Sequence, residues 1–136
     1  MDDLQKSTTV ALSGMKAQTE RLRVISENLA NADSLAQTPD GAPYQRKVVT
    51  FKNELDRATG ATKVVVGSVR PDRSEFQRRY DPKHPAADSD GYVLAPNVNP
   101  MIEMMDMREA QRSYQANLDV ISVASNLLSE TLKLLR

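Results

Sequence analysis

The sequence predicts an α fold with a small β module, in which long N- and C-terminal helices pair as a coiled coil around a β-hairpin-rich middle. Two observations indicate the helices: the N-terminal end and the C-terminal end of the chain each carry an unbroken stripe of mostly apolar residues at helical spacing. A third observation indicates the middle, which combines turn-forming residues with short β-branched runs. We expect an N-terminal assembly helix over 1–33, a loop and β-rich module over 34–98, and a C-terminal assembly helix over 99–136.

The first stripe predicts one helix from Asp3 to Asn31. Its positions are three or four residues apart, and this spacing has a period of about 3.5 that keeps one seam of a helix against a partner. The helix should end before the turn-forming cluster over 38–43. The positions of the stripe are Leu4, Thr8, Ala11, Met15, Gln18, Leu22, Ile25 and Leu29.

The second stripe predicts a helix from Asn99 to Leu135. Asn99 suits the N-cap, and Pro100 suits the first helical position because the N–H that proline lacks has no partner inside a helix. The positions of the stripe are Met104, Met107, Gln111, Tyr114, Leu118, Ile121, Ser125, Leu128, Leu132 and Leu135.

A helix with one apolar stripe needs a surface that covers the stripe. We therefore expect the apolar positions at the two ends of the chain to form an assembly interface. The residues expected there are Leu4, Ala11, Met15, Leu22, Ile25, Leu29, Met104, Tyr114, Leu118, Ile121, Leu128, Leu132 and Leu135.

The middle of the chain predicts short strands rather than helices. β-branched and aromatic residues are concentrated in Arg46–Phe51, Thr62–Val66 and Phe76–Tyr80, which we interpret as strands. The second and third of these flank Pro71–Asp72, a dipeptide typical of turns, so the stretch 61–80 is expected to form a hairpin or small meander.

Composition excludes several classes of protein. Eighteen basic and eighteen acidic residues leave no net charge to attract nucleic acid. No stretch of 18 uncharged apolar residues exists to span a membrane, and the chain has no cysteine for disulfides or thiolate chemistry. The acidic start, Met1–Asp3, lacks the apolar region of a cleaved secretory signal. On composition alone, a cytoplasmic protein is expected.

No motif of a catalytic or metal site is present, so neither a cofactor nor an enzyme activity is expected. His84 is the only histidine and has no second ligand nearby in sequence. The stretch Asp88–Gly91 resembles a calcium loop, but Ala86 and Asn97 occupy the first and twelfth positions of that loop, where carboxylates are needed. The methionines at 101, 104, 105 and 107 suit either an adaptable contact surface or ordinary burial, including burial between subunits.

Two separated signatures resemble the bacterial flagellar rod and hook family. In the N-terminal signature, Ile25–Asp33 ends a helix and Gly41–Lys47 follows a glycine turn, with Asn28, Asn31, Tyr44 and Arg46 as the motif residues. In the C-terminal signature, Glu103–Met104 precedes a run over 110–117 that contains the motif residues Tyr114 and Asn117.

A longer link between the two parts of the N-terminal signature separates this chain from most members of that family. The link runs from Ser34 to Pro43 and is similar to that of the proximal rod members. The segments Tyr80–Pro85 and Pro96–Asn99 resemble the same members.

The resemblance implies a structural subunit of the proximal rod of the flagellar basal body. Such a subunit would polymerise through its terminal helices and form part of the drive shaft and export channel. Its partners would be itself, other rod subunits and the flagellar type III export apparatus, with no nucleic acid and no membrane span. It would be exported without a cleaved signal peptide and reach the periplasmic rod, which replaces the cytoplasmic expectation.

Two details of this interpretation stay open. Phe51 and Leu55 resemble the export-gate motif of early flagellar substrates, but they equally fit a phenylalanine at a strand end that packs on Leu55. The alternative function is a soluble coiled-coil adaptor or chaperone that dimerises through the same helices. An adaptor should be a folded dimer when purified, whereas a rod subunit should be largely monomeric with loosely ordered ends.

Overall fold

The computed structural model describes all residues from Met1 to Arg136. Two long helices, α1 (Asp2–Ala30) and α2 (Pro100–Leu134), enclose four strands in the chain order. The strands are β1 (Lys47–Asp56), β2 (Ala61–Pro71), β3 (Gln77–Tyr80) and β4 (Tyr92–Ala95), and they form two separate two-stranded sheets, β1–β2 and β3–β4. This architecture confirms an α fold with a small β module. Neither helix has the length and hydropathy needed to span a lipid bilayer.

The chain folds into two compact units. Unit 1 comprises Met1–Leu22, Val49–Ser68 and Arg108–Arg136, and unit 2 comprises Arg23–Val48 and Val69–Met107. Each unit contains part of both helices and part of the β1–β2 hairpin, so residues that are far apart in sequence build each one.

Both helices begin and end within one residue of their predicted limits. Asp2 and Asp3 lie in the first turn of α1, where negative charge interacts favourably with the helix dipole. At the start of α2, the Asn99 side-chain oxygen accepts a hydrogen bond from the backbone N–H of Met101 (3.1 Å), which confirms Asn99 as the N-cap.

The strand pairing differs from the prediction. A hairpin over 61–80 with its turn at Pro71–Asp72 is wrong, because β2 pairs with β1 and β3 pairs with β4. The β1–β2 turn instead ends at Gly60, whose positive φ of 69° is readily adopted only by glycine, and whose N–H donates to the Asp56 carbonyl (2.7 Å). Asp72 instead continues the contact between the end of β2 and the segment before β1, since its backbone N–H donates to the Arg46 carbonyl (2.7 Å). Its side chain accepts from the Ser74 N–H (2.9 Å), which makes only a local turn.

The β3–β4 hairpin covers the small apolar core of unit 2. The strands are antiparallel with Tyr80 opposite Tyr92, and their rings meet edge to face at 5.3 Å. Val93 and Ala95 of β4 are buried, whereas Tyr92 and Leu94 are exposed, as the alternation of a strand requires. Sequence analysis did not predict β4, because Gly91 and Pro96 closely flank it and such flanking residues are typical of loops. The core cluster contains Leu35, Ala36, Ala86, Ala87 and Val93.

Unit 1 has an unusual core, because every apolar residue that it buries fully is an alanine. Large apolar side chains of the same unit stay exposed, and Leu132 keeps 54% of its surface. Burial of a methyl group removes far less apolar area from water than burial of a leucine side chain, so the isolated unit 1 gains little hydrophobic stabilisation. The five alanines are Ala11, Ala17, Ala61, Ala110 and Ala124.

This contrast predicts that unit 1 opens more readily than unit 2 in the purified protein. Backbone amides over 4–22 and 110–130 should exchange with deuterium faster than amides over 92–98, because unit 2 buries valine and isoleucine as well as alanine. Hydrogen–deuterium exchange with mass spectrometry measures this difference. Equal protection of the two units in a monomer would contradict the prediction.

Candidate functional site

The residues of the predicted assembly interface lie along α1 and α2 but differ in burial. In the first stripe, Ala11 and Ile25 are buried, whereas Leu4, Met15, Leu22 and Leu29 are half-buried. In the second stripe, Tyr114 and Ile121 are half-buried, and the remaining members are exposed: Met104, Leu118, Leu128, Leu132 and Leu135.

Within unit 1, α1 and α2 run antiparallel. Arg21 forms an ion pair with Glu109 (3.6 Å), whereas Leu4, near the start of α1, lines a groove together with Leu128, near the end of α2. Between these points, Gly14 faces Asn117 so closely that a Cβ atom at Gly14 would lie 2.7 Å from the Asn117 amide nitrogen. Gly14 therefore permits close approach of the two helices beside a motif residue, a role that sequence analysis did not assign.

Two open apolar grooves lie between the antiparallel helices of unit 1. One has a volume of about 550 Å³ and is lined by Leu4, Ile121 and Leu128, and it also contains Met1 and Thr59. The second has a volume of about 280 Å³ and is lined mainly by apolar residues, namely Leu4, Val120, Val123, Ala124 and Leu127. The second groove can receive apolar side chains of another protein, whereas the first also carries uncharged polar side chains of glutamine, threonine and serine.

The motif residue Arg46 is the centre of a polar cluster in unit 2, next to the motif residues Asn28 and Tyr44, which bond to each other. The guanidinium of Arg46 directs each of its three nitrogens to a different carboxylate. Nε donates to Glu103, one terminal nitrogen donates to Asp72 (3.1 Å), and the other lies 3.8 Å from Asp106. Glu103 has no exposed surface, so Arg46 supplies the positive charge that a buried carboxylate needs. We call these four side chains the Arg46 cluster.

Asn28 uses the whole hydrogen-bonding capacity of its side chain. Its amide nitrogen donates to the Lys47 carbonyl (2.9 Å) and to Glu103 (3.5 Å). Its oxygen accepts from the Lys47 N–H (2.9 Å) and from the Tyr44 hydroxyl (2.8 Å). The Asn28 side chain thus binds both backbone groups of the first residue of β1, as a neighbouring strand would. With 1% of its surface exposed, Asn28 connects the end of α1 to the start of β1.

Two further asparagines satisfy backbone groups around the Arg46 cluster. The Asn31 side-chain amide donates to the Glu27 carbonyl (2.9 Å), which also accepts the Asn31 backbone N–H (3.1 Å), so Asn31 binds this carbonyl twice where α1 ends. Asn97 accepts from the Arg46 N–H (2.8 Å) and donates to the Asp72 carbonyl (3.0 Å), which holds the two chain segments side by side. The sequence placed Asn97 in a motif but did not indicate this role.

Charges in unit 2 shift the pKa of several groups. Burial acts to lower the pKa of Arg46, but its hydrogen bonds and ion pairs with Glu103 and Asp72 outweigh burial and raise it. A hydrogen bond from the Ser74 N–H and the interaction with Arg46 hold the pKa of Asp72 below its ordinary value. The Lys47 ammonium, 2.5 Å from Glu27, lowers the pKa of that carboxyl. Burial raises the pKa of the Tyr44 hydroxyl.

The remaining candidate residues lie apart from this cluster. Phe51 and Leu55 are exposed on β1, and their spacing places both on one face of the strand. β1 continues to Asp56, so Phe51 lies inside the strand rather than at its end. The His84 ring accepts a hydrogen bond from the Ala86 N–H (3.1 Å), and Asp88 accepts from the N–H groups of Asp90 and Tyr92 (2.9 Å each), which shapes the loop before β4.

Two family models match the chain at the two ends that carry these features. One, described as "Flagella basal body rod protein", matches residues 9–34. The other, described as "Flagellar basal body rod FlgEFG protein C-terminal", matches residues 89–134.

Curated relatives match over nearly the whole chain. "Flagellar basal-body rod protein FlgC" of Agrobacterium fabrum is 50% identical over 136 residues, which cover 100% of this chain and 98% of the relative. The protein of the same name from Salmonella typhimurium is 42% identical, with 92% of each chain covered. That from Borreliella burgdorferi is 38% identical, with 98% of each chain covered.

Replacement of Asn28 tests the link between α1 and β1. Asn28→Ala leaves the Tyr44 hydroxyl and both backbone groups of Lys47 without their buried partner, and each such group costs about 1–3 kcal/mol. We expect the free energy of unfolding to fall by more than about 2 kcal/mol. Asn31→Ala is the matched control and should cost less, because Asn31 is only half-buried. Chemical denaturation measures the free energy of unfolding of both variants. An equal decrease in the two variants would contradict the role of Asn28.

The lowered pKa of Asp72 predicts acid sensitivity. Because its folded-state pKa lies below the unfolded value of about 4, its charge stabilises the fold at neutral pH. That contribution is lost as pH falls through the folded-state pKa. Asp72→Asn should therefore lower the melting temperature at pH 7, and the difference from the unsubstituted protein should narrow below about pH 4. A difference that stays constant down to pH 2 would exclude this role for the Asp72 charge.

Proposed function

The chain belongs to the family of flagellar basal-body rod proteins named FlgC, and from this premise we propose how it assembles. It is a structural subunit of the bacterial flagellar rod, which it builds together with other rod proteins, and it is not an enzyme. The adaptor or chaperone considered as the alternative has no support among the relatives.

We propose that the subunit polymerises through the apolar stripes of α1 and α2. The observation that carries this proposal is the core of unit 1, which buries alanines and leaves leucines and valines exposed. An apolar surface of this extent on a small protein indicates a contact with another protein. Coiled-coil packing against neighbouring subunits would cover the stripes that α1 and α2 do not bury between themselves.

The position of the subunit in the rod and its route to the rod are also proposals. The resemblance of the link over 34–43 to that of the proximal rod members supports a place in the proximal, periplasmic rod, as part of the drive shaft and export channel. Export through the flagellar type III apparatus without a cleaved signal follows from the same resemblance. The exposed pair Phe51 and Leu55 supports a role as the export-gate motif, because a receptor can reach both side chains in the folded chain.

Charge substitutions along α2 test the polymerisation proposal. Leu128→Asp and Leu132→Asp each place a carboxylate where a neighbouring subunit should cover the leucine, and an unpaired charge buried there costs several kcal/mol, on the order of 3–5. Both residues are exposed in the isolated chain, so its melting temperature should change little. We expect export of the variants without completed rods, and hence no motility.

Asn126→Asp is the matched control for these variants. It adds the same charge to α2 two residues before Leu128 and six before Leu132, but on the polar side of the helix, and motility should persist. Motility and purified basal bodies report assembly, and the culture medium reports export. Normal rods with both leucine variants would contradict the proposed interface, whereas loss of export would place the defect before assembly.

A further inference from the structure

The first two turns of α2 bury a charged residue and expose apolar residues, which is the opposite of a usual amphipathic helix. Glu103 is fully buried, whereas the four apolar residues around it keep between 49% and 69% of their surface exposed. We call these four residues the methionine face, and they are Met101, Ile102, Met104 and Met105.

Hydrophobic burial alone would rotate these turns the other way. Successive residues of an α-helix are about 100° apart, so Met101 and Met105 lie on the side opposite Glu103. Asp106 and Ala110 lie on the same side as Glu103. A helix free to choose its rotation would turn the methionines inward and the carboxylates to water. An interaction specific to Glu103 must oppose that preference.

The Arg46 cluster supplies this interaction. Arg46 Nε donates to one oxygen of Glu103, and the Asn28 amide donates to the other (3.5 Å). Arg46 also interacts with Asp106, which lies one turn further along the inward side of α2 (3.8 Å). Two carboxylates of α2 therefore face one guanidinium, and Asn97 binds the backbone N–H of Arg46 (2.8 Å) and holds that residue in place.

We propose that Glu103 and Arg46 are positioning residues that set the rotation of the first two turns of α2 and so keep the methionine face in solvent. The pair acts through orientation, because a buried carboxylate is tolerated only next to its guanidinium. Without Arg46, the uncompensated charge of Glu103 turns toward water and the methionines turn inward. That rod assembly requires this rotation rests on the function proposed above.

The rate of methionine oxidation measures which side of the first two turns of α2 faces solvent. The chain has six methionines, and hydrogen peroxide converts exposed ones to the sulfoxide faster than buried ones. In the purified full-length protein, Met101, Met104 and Met105 should oxidise faster than the half-buried Met107 and Met15. Peptide mass spectrometry at successive times gives the rate at each position.

Three variants separate rotation from general stability. In Arg46→Ala, Met101 and Met105 should oxidise no faster than Met107. The double variant Arg46→Ala/Glu103→Leu should restore the difference in rate, because a leucine at 103 stays inward without a partner charge. Glu103→Gln, which removes the charge but keeps hydrogen-bonding groups toward Arg46, should retain the difference.

Each result decides the proposal. If Arg46→Ala folds, as its circular dichroism reports, and the order of oxidation is unchanged, the pair has only a structural role and the proposal is wrong. If Arg46→Ala unfolds, the double variant decides, since the proposal requires that it regain both the fold and the order of oxidation. The double variant could show the native order of oxidation and still assemble no rods. That result would support the proposed rotation and would contradict only the link between the rotation and rod assembly.

Discussion

One guanidinium surrounded by three carboxylates is the interaction on which the arrangement of unit 2 depends. Arg46 follows the link after α1, Asp72 follows β2, and Glu103 and Asp106 lie at the start of α2. Glu103 is the buried member of this set, and removal of its partner would leave an uncompensated buried charge, which costs more than the pair contributes over an apolar replacement. The cluster therefore acts mainly as a specificity device, because only one relative placement of these three segments satisfies all its charges.

Asn28 extends the same constraint to the end of α1. A carboxylate or an aliphatic side chain at this position could not both donate to and accept from Lys47, whereas an amide does so with the spacing of a strand partner. Both backbone groups of Lys47 are consequently paired where the irregular loop after α1 enters β1. Low dielectric around these groups makes each hydrogen bond stronger and each missing bond more costly.

Unit 1 follows a different physical plan. The helical alanines and Gly14 permit the helices to approach closely, but their burial removes little apolar area from water. The large side chains around these residues gain most of their hydrophobic stabilisation only when another protein covers them. A rod subunit that is held in a polymer suits this distribution, since a subunit with a fully buried core would have less apolar surface for its neighbours.

The sequence by itself determined what depends on near neighbours in the chain: both helices to within one residue, the N-cap at Asn99, and the approximate positions of three strands. It also singled out Asn28, Tyr44 and Arg46 through their motif, without their partners. Tertiary structure decided the strand pairing, the burial of Glu103 and the outward rotation of the methionines. Helix caps and periodicity involve residues at most a few positions apart, whereas Arg46 and Glu103 are 57 residues apart. A local pattern therefore identifies Met104 as apolar, but only the distant guanidinium decides that Glu103 is the residue that turns inward.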